Sequence, residues 1–72
     1  MKVNLIRAKM TEHGMTQESL IHSLSEHGVT ISRSALSQRL SGKVEFVRDE
    51  ISALIEIFNL SPDETQSIFF SR

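Results

Sequence analysis

Four polar side chains share one helical face in the stretch VTISRSALSQRLSGK, residues 29–43. They are Arg33, Ser34, Ser37 and Gln38, with Ser32 and Ser41 at the two ends and Arg39 and Lys43 beside them. Arginine and glutamine form paired hydrogen bonds to guanine and adenine edges, and arginine binds carboxylates in the same way. The face therefore has the chemistry to bind DNA or another protein, and a solvated face without a partner is the alternative.

A short helix has to present these side chains. Ser32 is a typical N-cap, and the helix is predicted to run from it to about Ser41, with Gly42 as the stop signal. Four serines in so short a helix are not explained by helix propensity, because serine is only a modest helix former. The residues predicted to face the core are Ile31, Ala35, Leu36 and Leu40.

Helical periodicity and cap signals continue along the rest of the chain, and no stretch alternates like a strand for more than a few residues. Helix 1 is predicted at 4–13 with Asn4 as a possible cap, and Gly14 as its end. Helix 2 begins after Thr16 and ends at Gly28, helix 4 spans about 48–59, and helix 5 begins at the capping box SPDE, residues 61–64. We therefore expect one all-α domain of five short helices over residues 1–72.

The apolar residues near the C-terminus fit two arrangements, one inside the core and one with part of them on an exposed surface. In helix 4, the predicted core stripe is Ile51, Leu54, Ile55 and Phe58, with Ala53 and Ile57 as a second apolar edge. That edge is wider than a small monomer needs. Helix 5 is predicted to carry Ile68, Phe69 and Phe70 to the terminus, and its phenylalanines are expected in the core, although an exposed pair fits as well.

Charge and composition limit the class of protein. The net charge is −1, but residues 1–10 and 31–48 each carry +3, whereas residues 11–30 carry −3 and 49–72 carry −4. A basic patch would form if the first and third of these segments meet. There is no cysteine, and the N-terminus is neither a signal peptide nor a membrane span, which predicts a soluble intracellular protein. A chain this short has a thin margin of stability, so we expect help from a partner protein or a weak homodimer.

Catalysis and metal binding are not expected. Glu18 and His22 have i, i+4 spacing, but His13 and His27 lie at unrelated positions, so no set of metal ligands is apparent. No serine has a histidine at a spacing typical of a catalytic nucleophile and its base, and no glycine-rich loop is present that could bind a phosphate. We therefore predict a binding protein without cofactor or metal.

Helices 2 and 3 together resemble the helix-turn-helix family of phage repressors and Cro-type proteins. The segments that carry the resemblance are MTQESL (15–20), ISRSALSQRLSGK (31–43) and EFVRDEISALIEIFNLSPDE (45–64), about three-quarters of the chain. The length and the tail FNLSPDETQSIFF are similar to phage modulators of repression, which are antirepressors of the same fold that bind a partner repressor. The resemblance implies a lambda-repressor-like helix-turn-helix domain.

In this family pattern, residues 33–41 are the recognition helix. The resemblance implies that Arg33, Ser34, Ser37 and Gln38 point at the DNA groove. It also implies that Gln17 lies over the DNA backbone at the start of helix 2, where a helix N-terminus favours a phosphate. Arg39 and Lys43 are predicted to make further contacts to phosphate or to a partner protein.

One departure from the family pattern separates two functional hypotheses. Seven residues, 25–31, lie between Leu24 and the cap Ser32, whereas a helix-turn-helix turn is normally about 3–4 residues long. The long turn places Glu26 near the expected DNA backbone, where an anion is repelled. An antirepressor that binds a repressor protein is compatible with the long turn, with the position of Glu26 and with the slightly negative net charge. The alternative is a dimeric Cro-like protein that binds operator DNA, and both would control transcription in the cytoplasm of a bacterial host.

Overall fold

The computed structural model describes residues 1–70, and within them every regular element is helical. The elements are α1 (Val3–Glu12), α2 (Gln17–Glu26), α3 (Arg33–Leu40), α4 (Arg48–Ile57) and α5 (Pro62–Thr65), which continues as a π-helical turn at Gln66–Phe70. The predicted all-α architecture of five helices is confirmed. The prediction that the last helix reaches the C-terminus falls on residues 71 and 72, outside the described range. No helix in residues 1–70 combines the length and the apolar run that a bilayer crossing requires.

Three of the predicted N-caps are present. The Thr16 hydroxyl accepts a hydrogen bond from the backbone N–H of Ser19 at 3.2 Å, and the Ser32 hydroxyl accepts one from the N–H of Ala35 at 3.1 Å. At Ser61 the capping box is complete, since its N–H also donates to the Glu64 carboxylate. These caps satisfy N–H groups that a helix start otherwise leaves without a partner.

Helix α1 begins differently from the prediction. Asn4 is not an N-cap but lies inside the helix, which starts at Val3. Lys2 occupies the cap position and makes no capping hydrogen bond through its side chain. The backbone N–H of Lys2 instead donates to the carbonyl of Ile68 at 2.7 Å, which ties the start of α1 to the π-helical turn.

The core lies between α3 and its neighbours. Helix α3 packs against α1 and α2, α2 packs against α4, and the C-terminal turn packs against α1. The side chains that are almost completely buried are Ile6, Leu20, Leu24, Leu36, Leu40 and Leu54. The predicted inward face of α3 is confirmed for Ile31, Leu36 and Leu40, while Ala35 is half-buried.

Helix α4 is rotated relative to the predicted core stripe. Ala53 and Leu54 are buried, but Ile51 and Ile55 are only half-buried. The helix also buries Glu50, which is 6% exposed and is not among the residues predicted to face the core. This buried carboxylate is tolerated because it is paired with Arg39 on α3.

The phenylalanines divide into a buried and an exposed group. Phe46, Phe58 and Phe69 are buried, as a small core requires, whereas Phe70 is 59% exposed. The rings of Phe69 and Phe70 lie 6.5 Å apart. The exposed pair that the sequence left open is therefore one exposed ring beside a buried one.

The connection between α2 and α3 is long, as predicted. Residues 27–32 separate the two helices. Gly28 turns the chain out of α2 with φ +80°, a conformation that side chains other than glycine rarely adopt, and the N–H of Val29 then donates to the carbonyl of Leu24 at 2.9 Å. Ile31 is 7% exposed and anchors the loop in the core.

Candidate functional site

The polar residues of α3 lie where the sequence placed them, on the face away from the core. We define the α3 surface as Arg33, Ser34, Ser37, Gln38 and Ser41. All are exposed except Ser37, which is half-buried. Within residues 1–70 the side chains of Ser34 and Gln38 make no hydrogen bond. Their donors and acceptors are therefore open to a partner molecule.

The serines at the ends of α3 serve the helix first. The Ser32 hydroxyl is the N-cap, and the Ser41 hydroxyl donates to the carbonyl of Gln38 at 2.9 Å. Both residues are exposed. Each oxygen can still accept a hydrogen bond from a partner, but neither residue is present for binding alone.

The first residue of α2 is joined to the middle of α3. The Ser37 hydroxyl donates to the Gln17 side-chain oxygen at 2.9 Å. Gln17 is half-buried, and this bond leaves its NH₂ group available for a contact outside the chain. The structure thus brings the predicted Gln17 contact next to the α3 surface.

The cation of the α3 surface has a carboxylate beside it. A guanidinium nitrogen of Arg33 lies 3.1 Å from a Glu18 oxygen, and the two side chains are 69% and 77% exposed. Exposed pairs of this kind contribute only about 0–1 kcal/mol, so a partner carboxylate can recruit Arg33 at low cost. While the pair persists, however, the surface carries little net positive charge.

Arg39 does not belong to the exposed surface, in contrast to the prediction of a phosphate or partner contact. Its Nε donates to the Glu50 carboxylate at 2.7 Å, and a second nitrogen donates to the carbonyl of Ala35 at 3.2 Å. The side chains of Arg39 and Glu50 are 16% and 8% exposed. The same Glu50 oxygen accepts the backbone N–H of Val47 at 3.0 Å, at the start of α4. Arg39 therefore joins α3 to α4 from inside the fold.

The two basic segments meet at the C-terminal end of α3. The guanidinium of Arg7, on α1, donates to the carbonyl of Leu40 at 3.1 Å, at the helix end where the dipole favours a cation. Lys43 is exposed just after Gly42, and its backbone N–H donates to the carbonyl of Gln38. The sequence motif did not single out Arg7, although the charge of residues 1–10 was the signal that could have done so.

The three histidines have different neighbours, and the ring of His13 lies 5.3 Å from that of Phe58. His22 faces Glu26 at 3.8 Å, and His27 faces Glu56 at 3.5 Å. Among residues 1–70 there is no group of three His, Asp or Glu side chains that could hold a metal ion.

Comparisons of this chain with protein-family models, with curated proteins and with solved structures found no match. What the α3 surface binds has to be inferred from its own side chains.

Proposed function

We propose that this chain is an antirepressor-like regulator of a phage-type transcriptional switch, which binds a partner repressor protein through the α3 surface. The observation that carries the proposal is a polar surface of low net charge. Ser34 and Gln38 offer unused hydrogen-bonding groups, and the charge of Arg33 is offset by Glu18. The resemblance of residues 15–64 to phage repressors supports the same kind of process.

Charge favours a protein over DNA as the main partner. Neutralisation of phosphates by Lys and Arg supplies most non-specific affinity for DNA. Arg39 is engaged with Glu50, and Glu18 sits in the first turn of α2, where a phosphate would be repelled. A protein partner with a carboxylate opposite Arg33 and backbone groups opposite Gln38 fits this surface, since arginine pairs with carboxylates through two parallel hydrogen bonds.

The repressor would be bound in the cytoplasm of a bacterial host, where both proteins meet the operator. Occupation of the repressor's DNA-reading surface would release the operator without any contact between this chain and DNA. Glu18, the carboxylate beside the α3 surface, suits a basic surface of that kind.

Operator binding by this chain itself is the second candidate. It is favoured by Arg7 and Lys43, the two cations at the C-terminal end of α3. In this version, α3 would lie in the major groove of DNA and the protein would act as a dimer.

The test uses a repressor of the phage type that the resemblance implies, with binding measured by titration calorimetry, and the operator of that repressor, with binding measured by fluorescence anisotropy. Gln38→Ala and Arg33→Ala should weaken the repressor complex, the latter by about 30-fold if Arg33 is a hot spot. Gln66→Ala is the matched control, because Gln66 is an exposed glutamine on the C-terminal turn. Each variant is first checked for parental helix content and unfolding.

The salt dependence of DNA binding separates the two candidates. If the isolated protein binds the operator with a log–log salt slope of several units and ignores the repressor, the second candidate is correct. If Arg33→Ala with Gln38→Ala folds and binds repressor and operator like the parent, the α3 surface has no part in either function.

A further inference from the structure

The outer face of α4 carries opposite charges at its two ends. Arg48, Ser52 and Glu56 are spaced by four residues, so they form one exposed ridge about 12 Å long. Within residues 1–70 the side chain of Arg48 makes no hydrogen bond or ion pair. Glu56 contacts His27 at 3.5 Å, with its own side chain 71% exposed.

These charges do not serve the helix that carries them. Arg48 is the first residue of α4, where the helix dipole disfavours a cation, and Glu56 is next to the last, where it disfavours an anion. An oppositely directed helix would reverse both effects by placing a carboxylate at Arg48 and a guanidinium at Glu56. The arrangement is therefore self-complementary.

An apolar groove runs beside the ridge. Its walls are Ile51, Ile55 and Phe70, with Arg48 and Ser52 at the rim, and it encloses about 410 Å³. Phe70, at 59% exposure, is the most exposed large apolar side chain in residues 1–70. Water in such a groove is released when an apolar surface covers it.

A two-fold axis perpendicular to α4 at Ser52 satisfies both features together. It sets Arg48 of each copy opposite Glu56 of the other, because the two residues are equally far from Ser52. The same rotation places the groove of one copy beside the groove of the other. The two Phe70 rings then approach one another. Ser52 is small enough for the helices to cross at the usual 8–10 Å.

We propose that a second copy of this chain covers the outer face of α4, with the two α4 helices antiparallel. An unrelated partner would have no reason to match a charge pattern that is self-complementary about a two-fold axis. The surface shares no residue with the α3 surface, so the inference is independent of the proposed function.

The size of the face indicates a weak dimer. A standard interface buries about 800 Å² per partner, which would be roughly a sixth of the 4620 Å² exposed by this chain. One ridge of three residues and one groove of three side chains are smaller than that. Association is therefore expected only at micromolar or higher concentrations.

Charge-reversal variants test this geometry. Their self-association is measured by sedimentation equilibrium from micromolar to millimolar concentration at low salt. Arg48→Glu and Glu56→Arg should each weaken self-association about tenfold or more, because each sets like charges opposite one another at both ends of the interface. The double variant restores opposite charges and should return to within about threefold of the parent. Glu26→Arg is the matched control, since Glu26 is also exposed and also faces a histidine.

A mixture of the two single variants gives an independent readout. One chain then carries Glu at 48 and 56 and the other carries Arg at both, so the two variants should associate with each other more tightly than either associates with itself. Circular dichroism at low concentration verifies that every variant is folded. A parent that stays monomeric at millimolar concentration, single variants that associate like the parent, or a double variant that is not rescued would each overturn the proposal.

Discussion

The buried pair of Arg39 and Glu50 gives the sharpest test of how the fold is held together. In the variant Arg39→Met the aliphatic stem stays in place and the charge is lost. The Glu50 side chain, 8% exposed, then keeps one hydrogen-bond partner within residues 1–70, the backbone N–H of Val47. We expect this single change to destabilise the protein more than any charge removal on the surface.

The magnitude follows from the burial of the two groups. Removal of one partner from a buried ion pair costs about 3–5 kcal/mol, and the remaining N–H bond to Glu50 points to the lower end. A 72-residue protein has about 4–11 kcal/mol of stability in total. Arg39→Met should therefore cost about 3 kcal/mol, a quarter or more of the whole.

Urea unfolding followed by far-ultraviolet circular dichroism measures the loss. The matched control is Arg33→Met on the same helix, which breaks the exposed pair with Glu18 and should cost no more than about 0.5 kcal/mol. Arg39→Met combined with Glu50→Leu should recover much of the loss, because no unpaired charge remains inside. A cost below about 1 kcal/mol for Arg39→Met, or one equal to that of Arg33→Met, would refute the structural role of this pair.

Two further predictions concern the packing of the core and the free energy of unfolding at low pH. Leu36→Ala and Leu54→Ala, both fully buried, should each cost about 2–4 kcal/mol in urea unfolding, and a loss under about 0.5 kcal/mol would show that neither helix packs as described. The hydrogen bond from Lys9, followed by the one from the backbone of Ser61, holds the pKa of Glu64 below its usual 4.5. The stability from this carboxylate is therefore complete above pH 4.5 and lost as the pH falls through the lowered pKa. Unfolding curves of the parent should thus drop faster below that pH than those of Lys9→Met, whereas parallel profiles would contradict this cause.

Much of the candidate surface was predictable from neighbouring residues alone. The exposed face of Ser34 and Gln38 and the buried face of Leu36 and Leu40 follow from helical periodicity, which one segment of sequence already contains. Periodicity does not determine whether this surface binds a repressor or DNA, and that assignment stays a prediction.

The sequence by itself determined where three of the helices, α2, α3 and α5, begin. The caps at Thr16, Ser32 and Ser61 each join a hydroxyl to a backbone N–H three residues later, so the local chain contains all that the bond needs. The same holds for Gly28, whose left-handed conformation closes α2 and opens the long connection.

Only the tertiary structure decided which charged and aromatic side chains are available to a partner. Arg39 looked like its neighbours on α3, but its charge is taken up by Glu50, eleven residues later on another helix. Phe70 looked like Phe69, but the π-helical turn buries one ring and exposes the other. Such choices depend on how the helices pack, because desolvation of a charge or a ring is set by groups that are distant in sequence and adjacent in space.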